Sequence, residues 1–420
     1  MWKLHKPARE ALISTAKWTG ALILSAQAFA ISTIVAIDEN RKRRNPPSGE
    51  FPHHQPLDAE VSPSSVRIYT YGEDLYRDQL QAIRAAHDHI FFEMFIMKAD
   101  RVGTIFREEL IAAALRGVQV YIIIDTFGNL NQPVRFRHFP NLPTLHVIRF
   151  PLIRPGILTG NARKKGRDHR KILCVDSTVG FVGGYNVGDL YAHHWRDTHM
   201  RIEGPQVWEL ENAFIDMWNM YYHHKKQPAL PDFGSGSWAS NLRASVNTPA
   251  YNSYPVRALY LEAIDRASER VWITMAYFIP DDGIKQALMN AARRGVDVRV
   301  LLPEYSNHIV ADWVGRPHYT ELLHAGVRIF LYEQAMVHAK TMTVDSIWST
   351  VGTTNIDRLS MKGNFEINIE MYDADTANAL EQIFDMDLTN AHELKLEVWE
   401  RRGLIPRIGE RLLKPFGALL

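Results

Sequence analysis

Residues 169–176 read His169-Arg170-Lys171-Ile172-Leu173-Cys174-Val175-Asp176, and residues 338–345 read His338-Ala339-Lys340-Thr341-Met342-Thr343-Val344-Asp345. Both stretches fit the pattern H-x-K-x4-D, and they continue to agree downstream. In each copy a Gly follows the His by 14 residues, an Asn by 17 and an acid by 28: Gly183 and Gly352, Asn186 and Asn355, Asp197 and Glu366. This agreement predicts an internal duplication whose two copies meet in one composite active site.

The residue types in the pattern fit chemistry at a phosphodiester. Side chains two apart on a strand emerge on the same face, so each His shares a face with its Lys. Histidine transfers protons near neutral pH and also serves as a covalent nucleophile, and lysine binds phosphate oxygens. With two copies together, one His attacks the phosphorus and the other protonates the leaving oxygen, while Lys and Asn side chains hold the phosphoryl oxygens.

These considerations assign a role to each matched side chain. The predicted catalytic set is the His, Lys and Asp of each motif: His169, Lys171, Asp176, His338, Lys340 and Asp345. The predicted phosphate-binding groups are Lys171, Asn186, Lys340 and Asn355. The later acids, Asp197 and Glu366, are predicted to orient the histidine rings and fix their tautomer. No metal ligand is assigned, because the lysine pair supplies the positive charge that a metal would otherwise bring.

The doubled motif with its Gly and Asn resembles the phospholipase D superfamily. The second copy is similar to bacterial cardiolipin synthases in particular, through four segments: 325–330 (AGVRIF), 337–341 (VHAKT), 349–357 (STVGTTNID) and 364–368 (NFEIN). The likeness covers residues 64–390. It departs at one position of the segment Asn355-Ile356-Asp357-Arg358-Leu359-Ser360, where Leu359 stands in place of an expected Arg.

The resemblance implies a phosphatidyltransferase that makes cardiolipin from phosphatidylglycerol through a phosphatidyl-histidine intermediate, with His169 as the nucleophile and His338 as the acid and base. It also implies anionic phospholipids and the membrane as partners, a bacterial cell-membrane location, no nucleic acid and no cofactor. Three alternatives stay open: a phospholipase D-type hydrolase or a transferase with another acceptor, a nuclease on the same scaffold, and an inactive membrane-binding module. The two intact motifs argue against the inactive module, and the net charge of +1 argues against the nuclease.

Length and composition are compatible with this interpretation. The 420 residues exceed one ordinary domain, as two catalytic halves require. The single cysteine, Cys174, excludes an internal disulfide and is predicted to be a buried core residue rather than a catalytic thiol. The His doublets at 53–54, 193–194 and 223–224 are predicted to lie on loops or the surface, because adjacent side chains point apart instead of converging on a metal.

The N-terminus carries a second signal. Residues 18–37 are uncharged and mostly apolar, and they precede the basic run Arg41-Lys42-Arg43-Arg44. As a helix the stretch would span about 30 Å, the thickness of a bilayer core, which favours a membrane anchor over a cleaved signal peptide or a soluble helix. The anchor would make the protein single-pass; without it, attachment would be peripheral. Basic residues flank both ends, so the positive-inside rule does not decide the orientation.

Strands and helices alternate in the same order in both halves, which predicts an α/β fold. With the resemblance, this becomes two phospholipase D-like α/β/α repeats with mixed sheets, packed about a pseudo-twofold axis and preceded by an N-terminal hydrophobic helix. The predicted segments are an anchor with its basic flank at 1–45, a linker at 46–63, the first repeat at 64–224, a linker at 225–252, the second repeat at 253–398 and a basic amphipathic tail at 399–420. The pattern does not predict an oligomeric state.

Two further segments are predicted to meet lipid. The insertion at 151–167 combines apolar residues with the basic run 163–167 and leads directly into His169, so it is expected to contact anionic headgroups; a solvated loop is the alternative. In the tail, basic and apolar residues alternate at roughly helical spacing. That spacing suits either an interfacial helix or a helix packed on the body of the protein.

Overall fold

A computed structural model describes residues 32–33, 35–36, 38–44, 46–152, 166–232 and 240–413. Residues 1–31, which hold most of the expected anchor, and residues 153–165, which hold most of the insertion, lie outside the described residues. The described residues from 38 to 44 are helical. Within these ranges, none of the helices combines the length and the apolar character that a membrane crossing requires.

The first half forms one eight-stranded sheet with helices packed on it. Its elements in chain order are β1 (Leu57–Val61), β2 (Ser64–Tyr69), α1 (Gly72–Ala85), β3 (His89–Met94), α2 (Arg101–Leu115), β4 (Gln119–Asp125), α3 (Val134–Arg137), β5 (Leu145–Phe150), β6 (Lys171–Val175), β7 (Val179–Gly183), α4 (Asp189–His193), β8 (Trp195–Arg196), β9 (His199–Glu203) and α5 (Trp208–Tyr221). The strand order in the sheet is β1-β2-β9-β7-β6-β3-β4-β5.

The second half repeats this arrangement with a second eight-stranded sheet. Its elements are β10 (Leu242–Asn247), α6 (Pro255–Arg266), β11 (Arg270–Met275), α7 (Asp282–Arg293), β12 (Asp297–Pro303), α8 (Ile309–His324), β13 (Arg328–Tyr332), β14 (Met336–Val337), β15 (Lys340–Val344), β16 (Trp348–Gly352), α9 (Arg358–Lys362), β17 (Glu366–Tyr372), α10 (Ala374–Leu388), β18 (Ala391–Glu393), α11 (Leu396–Glu400) and α12 (Leu404–Leu413). The strand order is β10-β17-β16-β15-β11-β12-β13-β18.

The two sheets share one topology. In the first, β3, β4 and β5 are parallel, and β6, β7 and β9 continue the sheet in antiparallel fashion. In the second, β11, β12 and β13 are parallel, and β15, β16 and β17 are antiparallel. Each motif strand, β6 or β15, therefore lies in the middle of a mixed sheet. The prediction of two duplicated α/β halves with mixed sheets is confirmed.

The equivalent helices α2 and α7 begin and end in the same way. Asp100 and Asp281 cap their N-termini by accepting bonds from the main-chain N–H groups of Gly103 at 3.0 Å and Ile284 at 3.1 Å. After each helix a glycine turns the chain with a positive φ, +100° at Gly117 and +94° at residue 295. Only glycine adopts this conformation without strain, so a glycine ends each helix.

Both segments that we expected to be linkers contribute strands. β1 lies within 46–63 and pairs with β2, and β10 lies within 225–252 and pairs with β17. Their buried side chains, among them Val61 and Leu242, join an apolar core shared by both halves. Cys174 is buried in the same core, as predicted. The first strand of each half, β1 or β10, therefore lies before residue 64 or 253, where the predicted repeats begin.

Candidate active site

The two motifs meet at a cavity of ≈ 370 Å³ between the halves. One His and one Asn from each copy line it: His169 and Asn186, His338 and Asn355. Most of the remaining wall is apolar or aromatic and comes from both halves: Phe95, Ile96, Phe127, Tyr191, Trp195, Tyr277, Ile279, Ala311 and Leu359. A narrow polar centre within a largely apolar cavity suits a substrate that is polar at its reacting group and apolar elsewhere.

Each histidine is held by the acid of the opposite half. Nδ1 of His169 lies 2.9 Å from Oε2 of Glu366, and Nδ1 of His338 lies 2.6 Å from Oδ2 of Asp197. All four side chains are buried. A carboxylate at Nδ1 fixes the tautomer with hydrogen on Nδ1, so the lone pair of Nε2 is free for attack or for proton transfer. The sequence predicted the orienting acids, but not that they would be exchanged between the halves.

Main-chain pairing across the seam explains the exchange. The two residues of β14, just before His338, pair in parallel with the two residues of β8, just before Asp197. The N–H of His338 donates to the carbonyl of Arg196 at 2.6 Å. On the other side, the N–H of His169 donates to the carbonyl of Phe365 at 3.0 Å. Each histidine is therefore in register with the acid from the other copy, and neither half forms a complete His–acid pair by itself.

The two motif lysines lie directly behind the histidines. Both are fully buried, and neither is on the cavity wall. Nζ of Lys171 donates to the carbonyl of His169 at 2.5 Å, and Nζ of Lys340 donates to the carbonyl of His338. Nζ of Lys340 also lies 3.0 Å from Nδ1 of its histidine. Because both side chains are buried, their charge acts on the polar centre through a medium of low dielectric constant, where electrostatic interactions are strong.

The electrostatics of the site favour neutral histidines in the empty enzyme. Burial, assisted by the lysines, lowers the pKa of His169, and burial with Lys340 lowers the pKa of His338 to about 3. Burial and repulsion by its partner lower the pKa of Lys171 to about 7, and burial lowers that of Lys340 to about 8. An anion that enters the site would offset these costs and favour the protonated forms of the same groups.

The two asparagines present amide groups to the cavity. Oδ1 of Asn186 accepts the main-chain N–H of Ile96 at 3.1 Å, so Nδ2 is the atom left to meet a substrate oxygen. Nδ2 of Asn355 lies 3.5 Å from Oγ of Ser360, and its Oδ1 is buried without a hydrogen-bond partner among the described residues. A buried amide without full partners at the wall of a cavity is suited to bind an incoming polar group.

The two aspartates of the predicted catalytic set lie apart from its histidines and lysines. Asp176 and Asp345 lie at the far ends of the motif strands, five residues beyond the lysines. The carboxylate of Asp176 accepts three main-chain N–H groups of residues 87–89 at 2.8–2.9 Å, and Asp345 accepts those of residues 268–270, each at 2.9 Å. Asp345 lines a separate groove of ≈ 690 Å³ that contains neither histidine. Each carboxylate closes a turn and neither lines the cavity, so the geometry favours a structural role for both over the predicted catalytic one.

The replacement of Asp176 by alanine is expected to lower the free energy of unfolding by about 1–3 kcal/mol, because three N–H donors lose a charged acceptor. The kcat of the folded protein should stay unchanged. Chemical denaturation measures the first quantity and initial rates, normalised to folded protein, the second. A large fall in kcat without loss of folded protein would return this carboxylate to the catalytic set.

Sequence reasoning missed the aromatic residues around the histidines. The rings of Phe95 and His169 are 4.9 Å apart, and so are those of Trp195 and His338. The ring of Tyr277 lies 6.1 Å from that of His338, and its hydroxyl donates to Asn307 at 2.6 Å. Phe95 follows β3, Tyr277 follows β11 and Trp195 belongs to β8. In the sequence, only their position relative to these strands could have indicated that they lie near the histidines. Their rings pack against both imidazoles and restrict the orientations that the imidazoles can adopt.

The described parts of the flanking segments also lie near the cavity. Arg167, at the end of the insertion, lines the cavity, stacks 4.7 Å over the ring of Phe127 and donates to the carbonyl of Leu152 at 2.9 Å. In the predicted basic flank, Lys42 donates to the carbonyl of Ser306 at 3.2 Å, and Arg41 pairs with Glu304. Residues 304–306 lead into the cavity wall at 307–308, so this flank contacts the body of the protein.

The tail helix α12 packs on the body of the protein, which is one of the two alternatives that its sequence left open. Leu413 is buried in a small cluster with Ile279 and Trp313, beside the cavity wall. Leu404 and Ile408, one helical turn apart, are 73% and 55% exposed. One face of the helix therefore packs on the body, and apolar side chains on another face are accessible in the described structure.

Comparison with known proteins identifies the family. The family model described as the cardiolipin synthase, PLD-like domain matches residues 80–218 and 260–388, one match in each half. The cardiolipin synthase of Clostridium perfringens is 31% identical over 373 residues, covering 85% of this chain and 77% of that protein. The major cardiolipin synthase of Bacillus subtilis is 34% identical over 368 residues, covering 84% of this chain and 75% of that protein.

Solved structures agree on the fold. The phosphatidylserine synthase of Haemophilus influenzae superposes with a TM-score of 0.67 at 13% identity, covering 90% of this chain and 97% of that one. The polyphosphate kinase of Porphyromonas gingivalis gives a TM-score of 0.54 at 13% identity, covering 85% of this chain and 53% of that one. With two domain matches and curated relatives aligned over most of its length, the chain belongs to the cardiolipin synthase family of the phospholipase D superfamily.

Proposed function

We propose that this protein is a phosphatidyltransferase that makes cardiolipin from two molecules of phosphatidylglycerol through a phosphatidyl-histidine intermediate. The observation that carries the proposal is the pair of buried imidazoles at one cavity, each held at Nδ1 by a carboxylate of the opposite half. Two such histidines provide one nucleophile and one acid–base group for the same phosphorus atom. The membership of the cardiolipin synthase family supports the choice of lipid.

In the first step, Nε2 of His169 attacks the phosphorus of a phosphatidylglycerol molecule. The bond between phosphorus and the oxygen of the glycerol headgroup breaks, and His338 donates the proton from its Nε2 to that oxygen. Glycerol leaves, and the phosphatidyl group stays bound to His169 through an N–P bond. Glu366 stabilises the positive charge that develops on the ring of His169, since its carboxylate accepts the Nδ1–H bond at 2.9 Å.

In the second step, the neutral ring of His338 removes the proton from a hydroxyl of a second phosphatidylglycerol. The resulting oxygen attacks the phosphorus, and the N–P bond to His169 breaks. Cardiolipin leaves, and both histidines return to their starting protonation states. Asp197 supports this proton exchange: burial alone would raise the pKa of its carboxyl, but His338 and Lys340 lower the pKa below its usual range and keep it ionised.

We assign the phosphoryl oxygens to the lysines and asparagines. The asparagine amides line the cavity, and each lysine lies behind its histidine with its Nζ bonded to the histidine carbonyl, so we assign the lysines an electrostatic share in this binding. Two ammonium groups offset the charge of the phosphodiester and of the transition state, so the chemistry requires neither a metal nor another cofactor.

The proposed partners are phosphatidylglycerol, other anionic phospholipids and a bacterial cell membrane. We propose that residues 18–37 anchor the chain in that membrane, either as a single span or by peripheral attachment, ahead of the two repeats at 64–224 and 253–398. The segments at 46–63 and 225–252, predicted as linkers, each contribute one strand, β1 and β10, and with the tail at 399–420 they complete the proposed domain organisation. The accessible apolar side chains of α12, Leu404 and Ile408, are compatible with a lipid surface.

Product analysis tests the proposal and separates it from the main alternative acceptor, water. With purified protein and excess phosphatidylglycerol, we expect cardiolipin and glycerol in equal amounts by chromatography and mass spectrometry. Leu359, at the cavity wall where the family resemblance predicted Arg, is the specific observation that makes the acceptor worth testing. Phosphatidic acid as the sole product, with glycerol released, would replace the transferase with a phospholipase D-type hydrolase.

The pH dependence of catalysis should follow the protonation state of the two motif lysines. Their ordinary pKa of 10.5 is lowered to about 7 for Lys171 and about 8 for Lys340, so both lose their charge as pH rises through this range. We expect kcat/KM to fall between pH 7 and 9, since it reports the free enzyme. The alkaline limb of kcat should lie at higher pH, because the bound phosphodiester stabilises both ammonium groups.

The contribution of the two motif lysines to the free energy of unfolding should rise over the pH range in which kcat/KM falls. Above pH 7 the unfolded chain keeps its lysines protonated up to the ordinary value of 10.5, whereas the folded protein has released these two protons. The unfolded state then binds more protons, so this contribution to the free energy of unfolding increases with pH from 7 to 9. A Tm that falls in parallel with kcat/KM would mean that the alkaline loss of activity is unfolding rather than lysine deprotonation.

A further inference from the structure

The two halves agree at the motif but differ behind it. Three buried ionisable residues of the first half correspond to residues without charge in the second. Asp168 and Arg170 flank His169 as Val337 and Ala339 flank His338. On the neighbouring strand, Glu93 is in register with Ile172, and Thr274 is in register with Thr341 at the equivalent place. All six side chains are buried: Glu93, Asp168 and Arg170, and Thr274, Val337 and Ala339.

The three charged side chains form one cluster, which we call the Arg170 cluster. Nε and Nη2 of Arg170 donate to Oε1 of Glu93 at 2.9 and 2.6 Å, and Nη1 donates to the carbonyl of Ala213 in α5 at 3.0 Å. Oδ1 of Asp168 lies 3.7 Å from Nε of the same guanidinium. The main-chain N–H of Asp168 donates to Asp125, at the end of β4, at 3.2 Å. The cluster therefore ties β3, β4 and α5 to the two residues that flank His169.

Two carboxyls and one guanidinium share this buried space. Oε2 of Glu93 and Oδ2 of Asp168 have no hydrogen-bond partner among the described residues. Two fully buried carboxylates beside one guanidinium cannot both be ionised at moderate cost, so the pair holds one proton. Because Glu93 accepts both bonds from Arg170, it is the ionised member, and Asp168 carries the proton. Burial and the nearby Glu93 raise the pKa of Asp168 in agreement with this.

The other His–acid pair is anchored differently. Arg196, which precedes Asp197, donates from Nε and Nη2 to Asp387 at 2.9 and 2.6 Å. This buried ion pair therefore holds the carboxylate, while His338 is flanked by apolar side chains only. In the pair of His169 and Glu366, the charged cluster lies instead beside the histidine. The residue before Glu366 is the apolar Phe365, where the other pair has Arg196 before Asp197.

We propose that the Arg170 cluster makes the two halves unequal by fixing His169 in place as the nucleophile. The inference rests on the proposed role of His169. A nucleophile must hold one position through bond formation and bond cleavage, whereas an acid–base group exchanges only a proton. Loss of about 1 Å in the placement of an attacking atom costs on the order of 10²-fold in rate. Glu93, Asp168 and Arg170 are thus positioning residues, which act through His169.

A swap to the residues of the second half tests the inference. The variant E93T/D168V/R170A removes the cluster without leaving an unpaired charge, so its Tm should fall only by the cost of the cavity that the smaller side chains leave, and its rates are normalised to folded protein. We expect kcat to fall on the order of 10²-fold with KM unchanged, and less label from phosphatidylglycerol to be trapped on His169 after a rapid quench. With a phosphodiester whose leaving group is p-nitrophenol, we expect the same fall in kcat. This leaving group departs without a proton, so the substrate makes the general acid unnecessary but still requires a correctly placed nucleophile.

The matched control is R196M/D387L, which removes a comparable buried ion pair from the acid–base side. Its kcat should fall strongly with phosphatidylglycerol and should be mostly restored with the p-nitrophenyl ester. The inference is overturned if the folded swap variant keeps the kcat of the parent, or if the p-nitrophenyl ester restores its activity. A parent enzyme that traps label on His169 but makes no cardiolipin contradicts only the proposed acceptor; a parent that traps none contradicts both.

A second pair of variants decides the matter if the triple swap does not fold. Asp168→Asn imitates the protonated carboxyl and should keep the parent kcat per folded protein. Glu93→Gln removes the ionised partner of Arg170 and should lower kcat and the trapped label together. The reverse order, with D168N inactive and E93Q active, would overturn the assignment of the proton and of the anchor.

Discussion

The replacement of His169 by alanine is expected to lower turnover by about 10⁴-fold or more, since loss of the nucleophile removes the covalent route altogether. Alanine leaves Glu366 buried without its imidazole partner, but Thr353 still donates to Oε2 of that carboxylate, so the fold should survive. Radiolabelled phosphatidylglycerol, quenched within one turnover, should leave no label on this variant. Label found on His338 instead would exchange the roles of the two histidines.

The same experiment with His338→Ala separates the two roles. We expect turnover on phosphatidylglycerol to fall by about 10²–10⁴-fold, the range for loss of a general acid. Once formed, the phosphatidyl group on His169 should persist, because no base activates the second lipid. The matched control is His87→Ala. His87 is exposed and binds Asp176 only through its main-chain N–H, which the variant keeps. It should retain the parent rate.

The residues that could be predicted from the sequence are those whose signal is local or repeated. The doubled motif gave both histidines, both lysines, both asparagines and both acids, and the structure places all eight at or directly behind one cavity. The ends of α2 and α7 also carry a local signal, because a glycine after an apolar-periodic segment marks a C-terminal cap. The fold class followed from the alternating order of the elements.

The remaining features depend on which strands meet, which no local spacing specifies. Asp176 was grouped with the catalytic residues because it completes the motif, yet a strand of five residues carries it about 17 Å from Lys171, to a turn at the other end of the sheet. The strands β1 and β10 sit in segments rich in turn-forming residues, and they form only because a partner strand is available at the edge. The exchange of acids between the halves is also set by pairing across the seam.

The exchange of acids leads to the second prediction with a large effect: each acid variant should behave like the histidine of the opposite half. Glu366→Gln keeps the shape of the side chain but loses the charge that holds Nδ1–H of His169. We expect a loss of about 10³–10⁴-fold, as for other histidines whose orienting carboxylate becomes an amide. Asp197→Asn should be comparable on phosphatidylglycerol, because it disturbs His338 in the same way.

A change of leaving group tells the two acid variants apart. With a p-nitrophenyl phosphodiester the general acid is no longer needed for the first step, so D197N and H338A should both recover most of their burst of p-nitrophenol. E366Q and H169A should not, because their defect is in the attacking ring. Pairing within the halves would give the opposite grouping, with E366Q recovering alongside H338A. That result would contradict the register in which β14 pairs with β8 and the residue before Glu366 pairs with the residue before His169.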